Sequence, residues 1–261
     1  MQAHCDGARA DRRPRLHRFF VPPESIASDV AAIPQPQARQ IARVLRLAPG
    51  DEIVVLDDTG VEYEVVLTEV DAKGVFGKVV DQRPALGEPR RRIVLYQALL
   101  KSDRFELVLQ KCTELGVSAF APFVSDRTVV RESARGRVDR WRRIVTEAAE
   151  QSRRGRIPTI LDPVTLQEAV EGPSGIAIMP WEDERDGGLR TTINQALAED
   201  DGAPDLAIIV GPEGGFAEDE VGFAREHGVR VVSLGRRILR AETAAITAVS
   251  AVLYELGELG G

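Results

Sequence analysis

The sequence predicts an α/β protein in which a small β-rich domain precedes a larger domain built on a mainly parallel sheet. Three observations carry this. The runs EIVVLDD, VEYEVVLTEV and GVFGKVVDQ alternate apolar and polar residues and are punctuated by Gly50, Gly60, Gly74 and Gly77, the pattern of a small barrel or sandwich. From Ile93 onward, apolar strand-like runs alternate with helical patterns, as in a sheet covered on both faces. Between the two lies ALGEPRRR, residues 85–92, polar and rich in Gly and Pro, where a domain boundary is expected. The chain accordingly divides into a tail over 1–15, a β-barrel domain over 16–86 and an α/β domain over 90–261.

In order, the Arg-rich tail carries no structural signal. LHRFFVP reads as a strand, residues 37–47 as a helix, and the three alternating runs close near Arg83-Pro84. Small barrels often bind RNA, but few aromatics and no net positive charge leave a packing or dimerisation role equally open. IVLYQALL opens the second domain. The helix after it, from Asp103, sets Phe105, Val108, Leu109 and Cys112 at helical spacing, with Asp103 and Glu106 as an expected capping box and Gly116 as its stop. AFAPFV follows, then a helix over 138–152 in which Trp141 shares a face with Ile144, Val145 and Ala148 and reads as core rather than as a base-stacking platform. A short helix after Thr165, the strand GIAIMP and a helix from Leu189 lead to two closing units. Each of these runs from a buried-type strand, 206–210 or 229–234, through a glycine-containing loop into a helix.

No apolar run approaches the roughly 20 residues that a membrane helix needs, and charges interrupt the N-terminal stretch where a signal peptide would be apolar. A cytoplasmic protein is expected. Cys5 and Cys112 suggest neither a disulfide framework nor a zinc cluster, so no metal is expected. The formal charge of −7 is uneven: residues 1–88 carry 11 Lys and Arg against 14 Asp and Glu, residues 89–158 carry 16 against 8, and residues 159–261 carry 7 against 19. A basic block inside an acidic chain suits a polyanion-binding face, although a solvated, salt-bridged helical surface would look the same. The block includes Lys101, Arg104, Lys111, Arg127, Arg131, Arg135, Arg137, Arg140, Arg142 and Arg143.

The closing loops carry the chemistry. Loops at the carboxyl ends of parallel strands form the crevice where such sheets bind ligands. In IVGPEGGF, Gly211, Gly214 and Gly215 free the backbone for close approach, and Pro212 stiffens the turn. A phosphate loop is excluded, because Glu218, Asp219 and Glu220 stand where the Lys-Ser/Thr pair should be; the spacing also misses the dinucleotide fingerprint. A ligand with a neutral or cationic portion fits better, and a tight structural turn is the alternative. LGRRILRAETA places Arg236, Arg237 and Arg240 just before an apolar helix that Glu242 or Thr243 is expected to cap. Arg240, between Leu239 and Ala241, is the charge expected to face the crevice.

IVGPEGGF and LGRRILRAETAAITAVS, preceded by KSDRFELVLQKCTELGV and EAAEQSRR, resemble the 16S ribosomal RNA uridine-N3 methyltransferase family, RsmE, of the SPOUT superfamily. The resemblance runs from HRFFV to the end, with the four motifs in the family's order; the tail before Leu16 lies outside it. It implies a PUA-like N-terminal barrel, an α/β domain with a C-terminal trefoil knot, a homodimer, and S-adenosylmethionine bound in the knot. It further implies one cofactor wall from Gly211, Pro212, Glu213, Gly214 and Gly215, and another from Leu234, Gly235, Ile238, Leu239, Arg240 and Thr243. Met179 and Pro180 begin a third cofactor loop. Arg240 would stabilise negative charge on the base, and Glu242 would act as proton acceptor, with helix capping an equally good account of it. Arg18, Lys101, Arg104, Glu114, Arg127, Gln151 and Arg153 are the expected contacts to 16S rRNA of the small ribosomal subunit.

Overall fold

The computed structural model describes residues 16–128, 136–199 and 205–260, so the tail, Arg131 and Arg135 lie outside the described residues. The chain forms two compact units, Met1–Pro84 and Ala85–Gly261.

In the first unit, β1 (His17–Phe20), β2 (Ile26–Ala27), β3 (Val30–Ile33), β4 (Glu52–Leu56), β5 (Val61–Val70) and β6 (Val75–Pro84) form a sheet in the order β1-β4-β5-β6-β3-β2. β1 runs parallel to β4 and the other pairs are antiparallel. The register of β5 on β6 slips at Glu64/Val65 and Leu67/Glu69, irregularities of the kind that bend a hairpin around a core. Gly77 lets the two strands meet, since a Cβ there would collide with the Val65 side chain and the Val66 carbonyl. The expected helix is a short α1 (Gln37–Arg39) that continues as a π-helix over Gln40–Leu45 and stops at Arg46, where φ is +55°. Ile41 joins Phe19, Ile33, Ile53, Val55 and Leu67 in the core.

An ion-pair cluster closes this unit. Arg18 Nη2 and Arg83 Nε each lie 2.6 Å from a Glu62 carboxylate oxygen. Burial pushes the Glu62 carboxyl up, and hydrogen bonds from Arg18 and Arg83 outweigh it, holding the group below its ordinary value.

The second unit begins at β7 (Ile93–Ala98) and α2 (Ser102–Leu115), followed by β8 (Ala119–Val124) and α3 (Val138–Gln151). Two short strands come next, β9 (Thr159–Ile160) and β10 (Val164–Thr165), and then α4 (Leu166–Glu171), β11 (Ile176–Pro180) and α5 (Leu189–Glu199). The chain ends with β12 (Leu206–Val210), α6 (Glu218–Glu226), β13 (Arg230–Val232) and α7 (Ala241–Glu255). The sheet has the order β10-β8-β7-β12-β11-β13, with β9 beside β8, and its described pairs are parallel. The expected α/β class is therefore observed.

Strand side chains alternate between two apolar layers. Ile176, Ile178, Leu206 and Ile208 face the layer that holds α2, α3, α5 and α7, whereas Ala177, Met179, Ala207 and Ile209 face the layer of α4 and α6. Trp141 is core, 1% exposed, with its ring 4.6 Å from that of Phe105. Cys112 is fully buried on the inner side of α2, and burial pushes its thiol up.

Local helix chemistry departs from expectation at two N-termini. α2 starts at Ser102 behind Lys101 with no side-chain cap, and Glu106 pairs with Arg140 at 2.7 Å instead of closing a box with Asp103. α7 is preceded by an extended Arg240, and neither Glu242 nor Thr243 caps it. The Thr165/Glu168 capping box of α4 is complete.

The boundary stretch at 85–92 is anchored by charge. Arg154, 1% exposed, meets Glu88 in a two-pronged pair at 3.2 and 2.8 Å. Its remaining prong donates to the carbonyls of Thr113 and Val117. Glu88 also accepts the Gly155 and Arg156 N–H groups, so one carboxylate ties the segment before β7 to the chain beyond α3.

Candidate active site

Because β11, β12 and β13 are parallel, the loops that leave their carboxyl ends share one edge of the sheet. A cavity of about 230 Å³ opens there. The glycine loop contributes Gly211, Pro212, Glu213, Gly215 and Phe216; the arginine loop contributes Ile238, Leu239 and Arg240. Pro180 ends β11 and Glu182 lies in the loop after it, Ala241 and Ala244 come from α7, and Arg104 from α2.

The glycine loop is shaped by contacts a local reading cannot supply. Gly215 has φ +67°, and a Cβ there would run into the Glu182 carboxylate. A Cβ on Gly211 would lie 3.0–3.2 Å from the Phe216 ring, which itself stacks on Phe123. Arg127 Nη1 donates to the carbonyls of Gly214 and Phe216 at 3.1 and 3.3 Å. Buried Gln97 reaches the carbonyls of Val210 and Gly211 at 3.4 and 3.5 Å. Glu220 accepts from the N–H groups of Ala217 and Asp126, fixing the entry to α6.

Charges of both signs line the cavity. Arg104 stands between two carboxylates, with Nη1 3.5 Å from Glu213 Oε1 and Nε 4.0 Å from Glu242 Oε1. Both distances exceed the 2.7–2.9 Å of a tight charge-assisted bond, and the second oxygens of Glu213 and Glu242 are buried without a partner among the described residues. Glu213 also accepts the Lys101 N–H at 3.4 Å. Arg240 is exposed and makes no side-chain ion pair among the described residues. Among the described residues no group of three or more His, Cys, Asp or Glu is placed to hold a metal ion.

The other expected site residues lie as follows. Met179 is fully buried beneath the site, while Leu234, Gly235, Glu242 and Thr243 are off the cavity lining. Gly214 is exposed and packs against Arg127. One nitrogen of the exposed Arg127 guanidinium bonds the glycine loop, Arg18 pairs with Glu62, and Glu114 pairs with Lys111 at 2.8 Å. Lys101 is exposed at the start of α2, and Gln151 and Arg153 are exposed at the end of α3. Sequence reasoning missed Val210, Glu182, Phe216, Ala241 and Ala244. Glu182 carried a usable signal, since it stands two residues beyond a strand whose neighbours both end in the site.

Residues 87–253 match the family model described as an RNA methyltransferase domain, and residues 33–80 match that of the RNA methyltransferase PUA domain. Among curated relatives, the ribosomal RNA small subunit methyltransferase E of Synechocystis is 34% identical over 90% of this chain and 77% of its own length. The protein of the same name from Bacillus subtilis is 31% identical over 86% of this chain and 90% of its own length. Among solved structures, ribosomal RNA small subunit methyltransferase E from Neisseria gonorrhoeae bound to S-adenosyl methionine superposes with a TM-score of 0.81 at 30% identity, covering 92% of this chain and 97% of that one. A putative methyltransferase from Legionella pneumophila in complex with the same cofactor has a TM-score of 0.76 at 29% identity, covering 92% and 98%.

Proposed function

The chain belongs to the ribosomal RNA small subunit methyltransferase E family, and on that premise we propose that it transfers a methyl group from S-adenosylmethionine to N3 of a uridine in 16S rRNA. Its fold is that of the SPOUT methyltransferases with a PUA-like domain ahead of it. The observation that carries the reading is the cavity between the glycine and arginine loops, which offers apolar walls together with side chains of both charges.

The cavity suits the cofactor chemically. Phe216, Leu239 and Ile238 supply apolar surface for an adenine, the carboxylates of Glu182 and Glu213 suit a cation, and the turns at Gly211 and Gly215 hold backbone close to the space between them. When bound, S-adenosylmethionine supplies an activated methyl group on a sulfonium.

The chain's own residues must then hold the uridine in line and favour the loss of its N3 proton. Arg240 has no side-chain ion pair among the described residues, so its guanidinium is available to stabilise the imide anion. Arg104 lies between Glu213 and Glu242 and so bridges the glycine loop and the start of α7. In this reading Glu242 acts through Arg104. Lys101, Gln151 and Arg153 remain exposed for RNA contact, whereas Arg127 and Arg18 act by positioning the glycine loop and the barrel.

Ile238, on the site rim, is 87% exposed and Tyr254 on α7 is 59% exposed, which supports a homodimer whose second copy covers apolar surface beside the cavity. The proposed location is the cytoplasm, where ribosomal RNA is made; no helix among the described residues is long and apolar enough to cross a membrane.

The test is nucleoside mass spectrometry of 16S rRNA from a strain lacking this protein. N3-methyluridine should disappear and return on complementation; its persistence would overturn the substrate, and another methylated nucleoside lost in its place would name the true one.

A further inference from the structure

Resting on the S-adenosylmethionine reading, we propose that Glu182 reads the positive charge of the methyl donor and thereby makes the cavity prefer the donor over its demethylated product.

The first support is the pattern of charge pairing. Of the two carboxylates that line the cavity, Glu213 has Arg104 at 3.5 Å and the Lys101 N–H at 3.4 Å. Glu182 has no ion pair among the described residues. Its negative charge in the wall is left for the ligand to complement.

The second support is the rigidity of the loop that carries this exposed carboxylate. It lies beside Gly215, where an added Cβ would displace it. The residues beside it are fastened from three directions. The Trp181 N–H donates to the Val232 carbonyl at 3.0 Å, and Arg225 sits over the Trp181 ring at 5.7 Å. Arg225 also pairs with Glu184 at 2.6 Å, and Glu184 accepts the Asp186 and Gly187 N–H groups at 2.7 and 3.0 Å. The Ser233 N–H closes the loop onto the Gly187 carbonyl at 2.6 Å. With the backbone fixed in advance, only the Glu182 side chain has to order when a counter-ion arrives.

The reaction removes the feature this carboxylate would recognise. The uridine N3 lone pair forms the new N–C bond, the electrons of the S–CH3 bond return to sulfur, and the N3 proton goes to solvent base. The sulfonium becomes a neutral thioether, while the amino acid and ribose groups of the donor are unchanged. A carboxylate facing the sulfonium therefore loses its counter-charge on turnover. One facing the amino group or the ribose hydroxyls would hold donor and product alike.

The test is calorimetric titration of the whole protein with S-adenosylmethionine and, separately, with S-adenosylhomocysteine, in wild type and in the near-isosteric Glu182→Gln. Donor affinity should fall about 10-fold, the change that a difference of about 1.4 kcal/mol produces, while product affinity changes less than about 3-fold. Glu182→Asp, which keeps the charge, should restore much of the donor preference. Equal losses for both compounds, or an unchanged ratio with both bound normally, would overturn the assignment of Glu182 while leaving the methyl-donor site standing. Wild-type protein that binds neither compound would overturn the methyl-donor reading, and this inference with it. Circular dichroism of each variant confirms that any loss of binding is not a loss of fold.

Discussion

Replacing Glu88 by Gln should weaken the second unit by about 3 kcal/mol. The side chain that loses its partner is Arg154, which is 1% exposed. Removing one member of a buried pair costs about 3–5 kcal/mol, because the remaining charge stays desolvated. The Glu88 side chain is 21% exposed and Gln keeps one acceptor for the Gly155 and Arg156 N–H groups, which places the effect at the low end. For a domain of this size, about 3 kcal/mol corresponds to a fall of about 6–12 °C in melting temperature. Urea unfolding followed by tryptophan fluorescence measures it directly, since Trp141 and Trp181 both lie in this unit. Arg154→Met should also destabilise, and the double variant should be less damaged than the sum of the two by more than about 1 kcal/mol, as expected for groups in direct contact. A loss below about 1 kcal/mol in Glu88→Gln, with additive behaviour in the double variant, would refute the reasoning. As a control, Arg142→Ala removes an exposed pair with Asp139 and should move stability by less than about 0.5 kcal/mol.

Three further outcomes are expected. Arg240→Ala should lower kcat by about 10²-fold or more and leave the unfolding midpoint unchanged, because its side chain is exposed and unpaired among the described residues; near-normal turnover would remove it from the mechanism. Gly215→Ala should cost about 1–2 kcal/mol for its left-handed backbone and weaken donor binding as well, because the new methyl displaces the Glu182 carboxylate; unaltered stability and binding would contradict the geometry. The third concerns acid. The Glu62 carboxyl is held below its usual 4.5, so its contribution is complete above that value and is lost as pH falls through the lower folded-state value. Far-UV circular dichroism melts at a series of pH values below 5 should show a shallower acid loss in Glu62→Gln than in wild type.

What could be read in advance was whatever the chain states locally. Runs such as Ile93–Ala98, Leu206–Val210 and Ile176–Pro180 are continuous apolar segments between turn residues, and each became a buried parallel strand. Ile26–Ala27 and Val30–Ile33 were not anticipated, because two or four residues give too short a pattern to distinguish from a loop. The glycine and arginine loops were visible from residue types alone, but the partners that shape them were not. Arg127 was expected only as a phosphate contact, and one of its nitrogens also holds two carbonyls nearly ninety residues away. Glu242 looked like a helix cap, yet it sits within α7 with the Arg104 guanidinium 4.0 Å away. Asp103 and Glu106 matched a capping box in spacing, and the arginine at 140 claimed Glu106 first. In each case the local signal was real and was outcompeted by a group that only the fold brings near.

Cys112 offers a way to watch the catalytic unit breathe. Its thiol is sealed within the layer of α2 and α7, and burial keeps it protonated, so a thiol reagent cannot reach a reactive thiolate while the core is shut. In a Cys5→Ser background, the labelling rate would therefore count transient openings of that layer. A ligand that binds only the closed form must slow those openings in proportion to its saturation. The chain thus carries a clock of its own, against which occupancy of the cavity can be timed without any turnover.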